Sequence, residues 1–139
     1  MKDRVEIREK YSINLLRKNP DKIFVFGDNM VRVGKAGQAR VRDEPNAFGL
    51  LTKRIPNNTK QSYLCDGLPL HLCCVMNDIH KLYQLYSMTD LTIVFPHHGL
   101  GTGLAKMKEK CPHIYEEMSK ELFDKFGYIN DPNERKKNG

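Results

Sequence analysis

The chain has 139 residues, 40% of them hydrophobic and 29% charged, with four cysteines and a formal net charge of +6. That length suits one domain able to build a core without metal or disulfide staples, and the composition excludes a disordered or fibrous chain. The longest apolar runs are only about five residues, far short of the roughly 20 that a membrane helix needs, and the excess of 23 Lys and Arg over 17 Asp and Glu favours anionic partners.

In chain order, Val5 to Leu16 is charged, free of Gly and Pro, and reads as an opening helix that Asn19-Pro20-Asp21 stops. Lys22 to Phe26 is an aromatic and β-branched run, hence a buried strand, and it ends at Gly27-Asp28-Asn29. A glycine turn, Gly34-Lys35-Ala36-Gly37, then opens a helix over Ala36 to Arg42. Asn46 to Arg54 reads as a weaker strand closed by Ile55-Pro56-Asn57-Asn58. Leu72 to Met88 is an amphipathic helix with Val75, Ile79, Leu82, Tyr83 and Tyr86 on one stripe. Leu91 to Phe95 is a second apolar strand, running into His97-His98 and then Gly99, Gly101 and Gly103. Pro112 to Phe126 is a last helix, with Pro near its start, Gly127 beyond its end, and a core face of Tyr115, Met118, Leu122 and Phe126. One domain over 1–130 is expected, with a flexible basic tail over 131–139.

Apolar strands separated by helices imply an α/β fold with a mainly parallel sheet. Ligands of such sheets bind beyond the carboxyl ends of the strands, where both glycine-bearing loops lie. Glycine lets backbone N–H groups approach a phosphate closely, and each helix start behind such a loop adds about 0.3–1 kcal/mol toward an anion. Gly27, Gly34, Lys35, Ala36, Gly37 and Arg40 form the first candidate ligand loop, with Asp28 and Asn29 placed to read a ribose or an amide edge. Gly99, Leu100, Gly101, Thr102 and Gly103 form the second. Three glycines in five residues exceed what one tight turn needs, and close approach to a ligand accounts for them.

The first loop is neither a Walker P-loop nor a Gly-x-Gly-x-x-Gly fingerprint. His97 and His98 follow a strand end and can act as proton carriers. His97, His98, Cys111 and His113 match no zinc spacing, so no metal and no cofactor is expected. With no signal peptide and no Cys-x-x-Cys, the four cysteines read as reduced thiols in a cytoplasmic protein. Arg40, Arg42, Lys53, Arg54 and Lys60 make a basic stretch, from which nucleic-acid binding is an alternative function. A structural or interaction domain whose glycines serve only turns is the other alternative.

The strand Ile23-Phe24-Val25-Phe26, then Gly27-Asp28-Asn29, then a Gly-x-x-Gly followed by Ala39, carries a resemblance. It resembles the Phe-Val-Phe-Gly-Ser-Asn and His-Gly-x-Gly-Ala-Ala pattern of small bacteriophage proteins, which are similar in turn to macrodomains. Ile93-Val94-Phe95 followed by the alternating glycines resembles the second macrodomain loop. Gly27-Asp28 stands where macrodomains usually carry Ala-Ala, and His97-His98 where they carry small polar residues. The resemblance implies a macrodomain-like, Rossmann-like three-layer fold with a mixed, mainly parallel sheet, and two loops that wrap the diphosphate of ADP-ribose. Asn29 matches the ribose-contacting Asn, Gly34 to Gly37 the first diphosphate loop, and Gly99 to Gly103 the second. As a hydrolase that removes ADP-ribose, the protein would use Asn29 and Asp28 to position ribose and water, with His97 or His98 carrying a proton. As a sequestering protein against host defence, it would bind such a nucleotide without reacting.

Overall fold

The computed structural model describes residues 2–138. Four strands form one sheet: β1 (Val5–Arg8), β2 (Lys22–Asn29), β3 (Ala47–Lys53) and β4 (Thr92–Pro96). Their order is β1-β4-β2-β3, and every neighbouring pair is parallel. Five helices accompany them: α1 (Ile13–Lys18), α2 (Pro69–Met88), α3 (Met107–Lys110), α4 (Pro112–Phe126) and α5 (Pro132–Asn138). The fold is therefore three-layer α/β around a parallel sheet. No helix among the described residues is long and apolar enough to cross a membrane.

The side-chain alternation of a strand divides the core. Phe24 and Phe26 of β2 and Val94 of β4 join Tyr11, Leu16, Ala39 and Val41 on one face. Val25, Ile93 and Phe95 point the other way, into a larger core shared with Val75, Ile79 and Leu82 of α2 and with Ile114, Met118 and Leu122 of α4. The stripes expected for both long helices are thus the faces they bury. α4 also has the expected ends: Pro112 lies in its first turn, and Gly127 closes it in the left-handed region. Its free N-terminal amides are met from outside, because the Asp66 carboxylate accepts from His113 N (2.9 Å) and Ile114 N (3.0 Å).

Two expectations for the termini are corrected. Residues 5–16 are not one helix: Val5 to Arg8 pair with Ile93 to Pro96 as an edge strand, and a short helix follows, capped by the Ser12 hydroxyl accepting from Leu15 N. Val5 and Ile7 alternate with charged residues, a period-2 pattern too short to outweigh the absence of Gly and Pro. Of the expected flexible tail over 131–139, Pro132–Asn138 is helical, and Gly139 lies outside the described residues. Asp131 pairs with Lys108, and Arg135 donates to the His97 carbonyl while its guanidinium lies 5.3 Å over the Tyr128 ring. Residues 36–42 form a single 3-10 turn over Gly37–Val41, where a full helix was expected.

Candidate functional site

The site begins where two strands part. β2 and β4 pair only as far as Phe24 opposite Val94. Beyond that point β2 continues to Asn29 beside β3 alone. The buried Tyr11 hydroxyl donates where they diverge, to the carbonyls of Val25 (2.7 Å) and Val94 (3.2 Å). Burial pushes the Tyr11 phenol well above its ordinary value, so it remains a donor. The chain leaving β2 packs Ala39 and Val41 on the Tyr11 face, and the chain leaving β4 packs Leu100, Ala105 and Met107 on the opposite face. Loops that depart to opposite faces from adjacent parallel strands open a crevice at their carboxyl ends. A cleft of about 350 Å³ occupies that crevice and is lined by residues 33–39 of one loop and by residues 98–101 and 103–105 of the other. Gly27 lies at its floor, exposed in the middle of β2 because no β4 residue covers it.

Charge holds the first loop. Arg42 places its guanidinium on Asp28, with NH2 to Oδ1 at 2.6 Å and NH1 to Oδ2 at 3.0 Å, and its Nε donates to the Gly34 carbonyl at 2.8 Å. Arg32 reaches Asp28 Oδ2 at 3.4 Å and the Gly49 carbonyl at 3.0 Å. Its other nitrogen meets both oxygens of Asp78 on α2, at 3.1 and 2.9 Å. Asp78 also accepts from Leu51 N of β3 at 2.8 Å. Two carboxylates and two guanidiniums thus alternate from the loop to the helix, a neutral set with its hydrogen bonds filled. Asn29 shapes the loop as well, since its amide donates to the Val33 carbonyl (2.7 Å) and accepts from Val31 N (3.1 Å). Asp28 and Asn29 line the cleft, but their polar atoms are engaged in building the loop, which sets them apart from the ribose-positioning role the resemblance implies.

Shape holds the second loop. Gly99 has φ +89°, and a Cβ there would lie 2.4 Å from the Asn130 carbonyl oxygen. Gly101 has φ +75°, and a Cβ there would lie 2.2 Å from Met107 Sδ. The buried Asn130 side chain pairs with the Leu100 backbone, accepting from its N–H at 2.7 Å and donating to its carbonyl at 2.9 Å. Two of the three glycines are therefore required by the protein's own chain, while a Cβ on Gly103 would meet open space. Thr102 turns its hydroxyl back to the His98 carbonyl at 2.6 Å and does not line the cleft.

Of the sequence-predicted site residues, Gly27, Asp28, Asn29, Gly34, Lys35, Ala36, Gly37, His98, Gly99, Leu100, Gly101 and Gly103 come together around the cleft. His97, Arg40 and Thr102 do not. His97 is held by its backbone, its N–H donating to Arg8 O and its carbonyl accepting from Arg135. Arg40 curls onto the Gly37 carbonyl at 2.8 Å. Lys35 is exposed and pairs with Asp43 at 2.5 Å. Partial desolvation, with His97 and Arg135 nearby, lowers the His98 pKa and favours a neutral imidazole at the rim. No acceptor among the described residues takes the N–H groups of residues 34–37 or 101–105, leaving them available to an anion.

Sequence reasoning missed Arg32 and Asp78 as parts of this site, and it placed Lys53 only within the basic stretch. Asp78 had a readable signal: it is a carboxylate set between Val75, Ile79 and Leu82 on the apolar stripe of α2, and such a group needs a cation. Lys53 ends β3 and lines the cleft, almost buried. Within the basic stretch, Arg42 pairs with Asp28, Arg40 turns onto the Gly37 carbonyl, and Lys53 lines the cleft. Among the described residues, no group of three or more His, Cys, Asp or Glu is placed to hold a metal ion. Burial pushes the Cys111 thiol up to about 12, so it is an inert core group.

No curated protein and no solved structure matches the chain. A family model matches residues 6–121, a span that runs from the second residue of β1 through β2, β3, β4, both loops and the cleft and ends within α4. The chain therefore belongs to the family described as "Family of unknown function (DUF7831)".

Proposed function

We propose that the cleft binds ADP-ribose or a related nucleotide diphosphate, with the diphosphate between the two loops, as in the macrodomains that the loops resemble. One observation carries the reading. Two loops with unpaired N–H groups meet over a single crevice at the split between parallel strands. The volume of about 350 Å³ falls within the range of small-molecule sites.

Binding is favoured over hydrolysis. Asp28 already balances Arg42 and Arg32, and Asn29 spends its amide on Val31 and Val33. His98 is the titratable group at the cleft left with a free ring for proton transfer. A sequestering role in the cytoplasm, like that implied by the phage-protein resemblance, needs only the loops. Calorimetric titration with ADP-ribose, ADP and AMP tests the proposal. Stoichiometric binding of ADP-ribose with micromolar or tighter affinity is expected, and absence of heat with all three ligands refutes it. Incubation with mono-ADP-ribosylated protein separates the two versions, because released ADP-ribose would make the protein a hydrolase.

A further inference from the structure

Three cations of the first loop have carboxylates: Lys35 has Asp43, Arg42 has Asp28, and Arg32 has Asp28 and Asp78, while Arg40 turns onto the Gly37 carbonyl outside the cleft. Lys53 has no carboxylate among the described residues. It is 8% exposed and lines the cleft, and its ammonium donates to one neutral acceptor, Asn58 Oδ1, at 3.1 Å. Its Nζ also lies 5.4 Å from the Tyr63 ring centroid, and Lys110 Nζ approaches the same ring at 5.1 Å. Burial lowers its proton affinity, and repulsion from Lys106, at the far end of the second loop, lowers it further. A lysine with so little exposed surface and no carboxylate beside it leaves its charge to be met by an anion. The protein supplies cations, a ring and one amide oxygen around it and no carboxylate, and the lysine itself is part of the cleft wall.

We infer that Lys53 is the charge-reading residue of this cleft, and that the ligand it selects seats a phosphate oxyanion against the Lys53 ammonium. This rests on the cleft being a phosphate-ester site and adds the group that discriminates by charge. The glycine-loop amides accommodate any oxyanion of suitable shape, whereas a nearly buried ammonium without a counterion rejects neutral nucleosides. It also marks the end of β3 as part of the binding wall, so a ligand spans from the second loop, across the β2 tip, to β3.

The test uses the full chain and two probes, inorganic pyrophosphate and ADP-ribose, titrated into the native protein and into Lys53→Gln, Lys53→Arg and Asn58→Asp. Lys53→Gln is expected to weaken pyrophosphate at least about tenfold, the worth of one charge-assisted contact, and Lys53→Arg to keep most of the affinity. Asn58→Asp hands Lys53 an internal carboxylate. It is expected to raise the unfolding temperature while weakening both probes, a combination that a merely structural lysine does not produce. If Lys53→Gln does not fold, Asn58→Asp decides alone. Equal affinity of native and variant proteins for pyrophosphate overturns the inference and leaves the nucleotide reading standing. Lys53-dependent pyrophosphate binding with no response to ADP-ribose does the reverse. No binding of either probe overturns both.

Discussion

The two loops that wall the cleft are held in different ways. The loop after β2 is pinned by charge, through Arg42 and Arg32 converging on Asp28, and it is tied through Asp78 to the helix on the far side of the sheet. The loop after β4 is pinned by shape, through two left-handed glycines pressed against Asn130 and Met107 and one amide pair from Asn130. Both mechanisms deliver backbone amides to one hollow. Charge tolerates some side-chain movement, whereas an interatomic gap of this kind tolerates no added atom, so each loop has its own way of failing.

The largest effect is expected in the second loop. Gly99→Val adds left-handed strain of about 1–2 kcal/mol and overpacking of about 1–3 kcal/mol against a backbone oxygen with little room to yield. Urea denaturation should show a loss of about 4 kcal/mol; a loss under about 1 kcal/mol would mean the loop is free to move. In the first loop, Asp28→Ala strands Arg42, whose side chain is 14% exposed, and should cost about 3 kcal/mol. Hydrogen exchange should rise over residues 30–42 and stay unchanged over 97–106. Equal acceleration of both segments would show that the loops are not held independently.

Gly37→Ala sharpens the contrast within the glycines. Its φ is +59° but nothing stands within 4 Å of an added Cβ, so only the left-handed strain of about 1 kcal/mol is expected in the same denaturation assay. The smallest effect concerns the helix after the second loop. Lys108, by hydrogen bond and charge, holds the Asp131 carboxyl below its ordinary 3.8. A depressed carboxylate contributes stability that is complete above the unfolded value and is lost as pH falls through the lower folded one. Exchange of the α5 amides should therefore accelerate only below about pH 3.8. Lys108→Ala should abolish that acid step at a cost of about 0.5 kcal/mol, since Lys108 is mostly exposed. An unchanged acid profile in that variant would remove the pair from the account.

Much of the frame was legible. The runs Lys-Ile-Phe-Val-Phe and Leu-Thr-Ile-Val-Phe announced the two central strands, because both faces of a parallel sheet are buried and leave little room for polar alternation. The ends of α4 were readable because Pro and Gly act locally, through their own backbone limits. β1 was not, since four residues at a sheet edge carry too little pattern and take their conformation from β4. At the site, the convergence of the two loops followed from strand-end logic, but a packing reason for two of the alternating glycines was not readable. Their partners, Asn130 and Met107, come from later in the chain and are invisible to local reading.

What the residues determined unaided is what acts within a few positions: the apolar strands, the amphipathic faces of α2 and α4, the turns, and an excess of positive charge. Tertiary structure alone decided which charges survive. It cancelled Arg42 and Arg32 against Asp28 and Asp78, and left Lys53 without a counterion at the cleft wall. Coulomb energy depends on distance and surroundings in space, and separation along the chain carries neither.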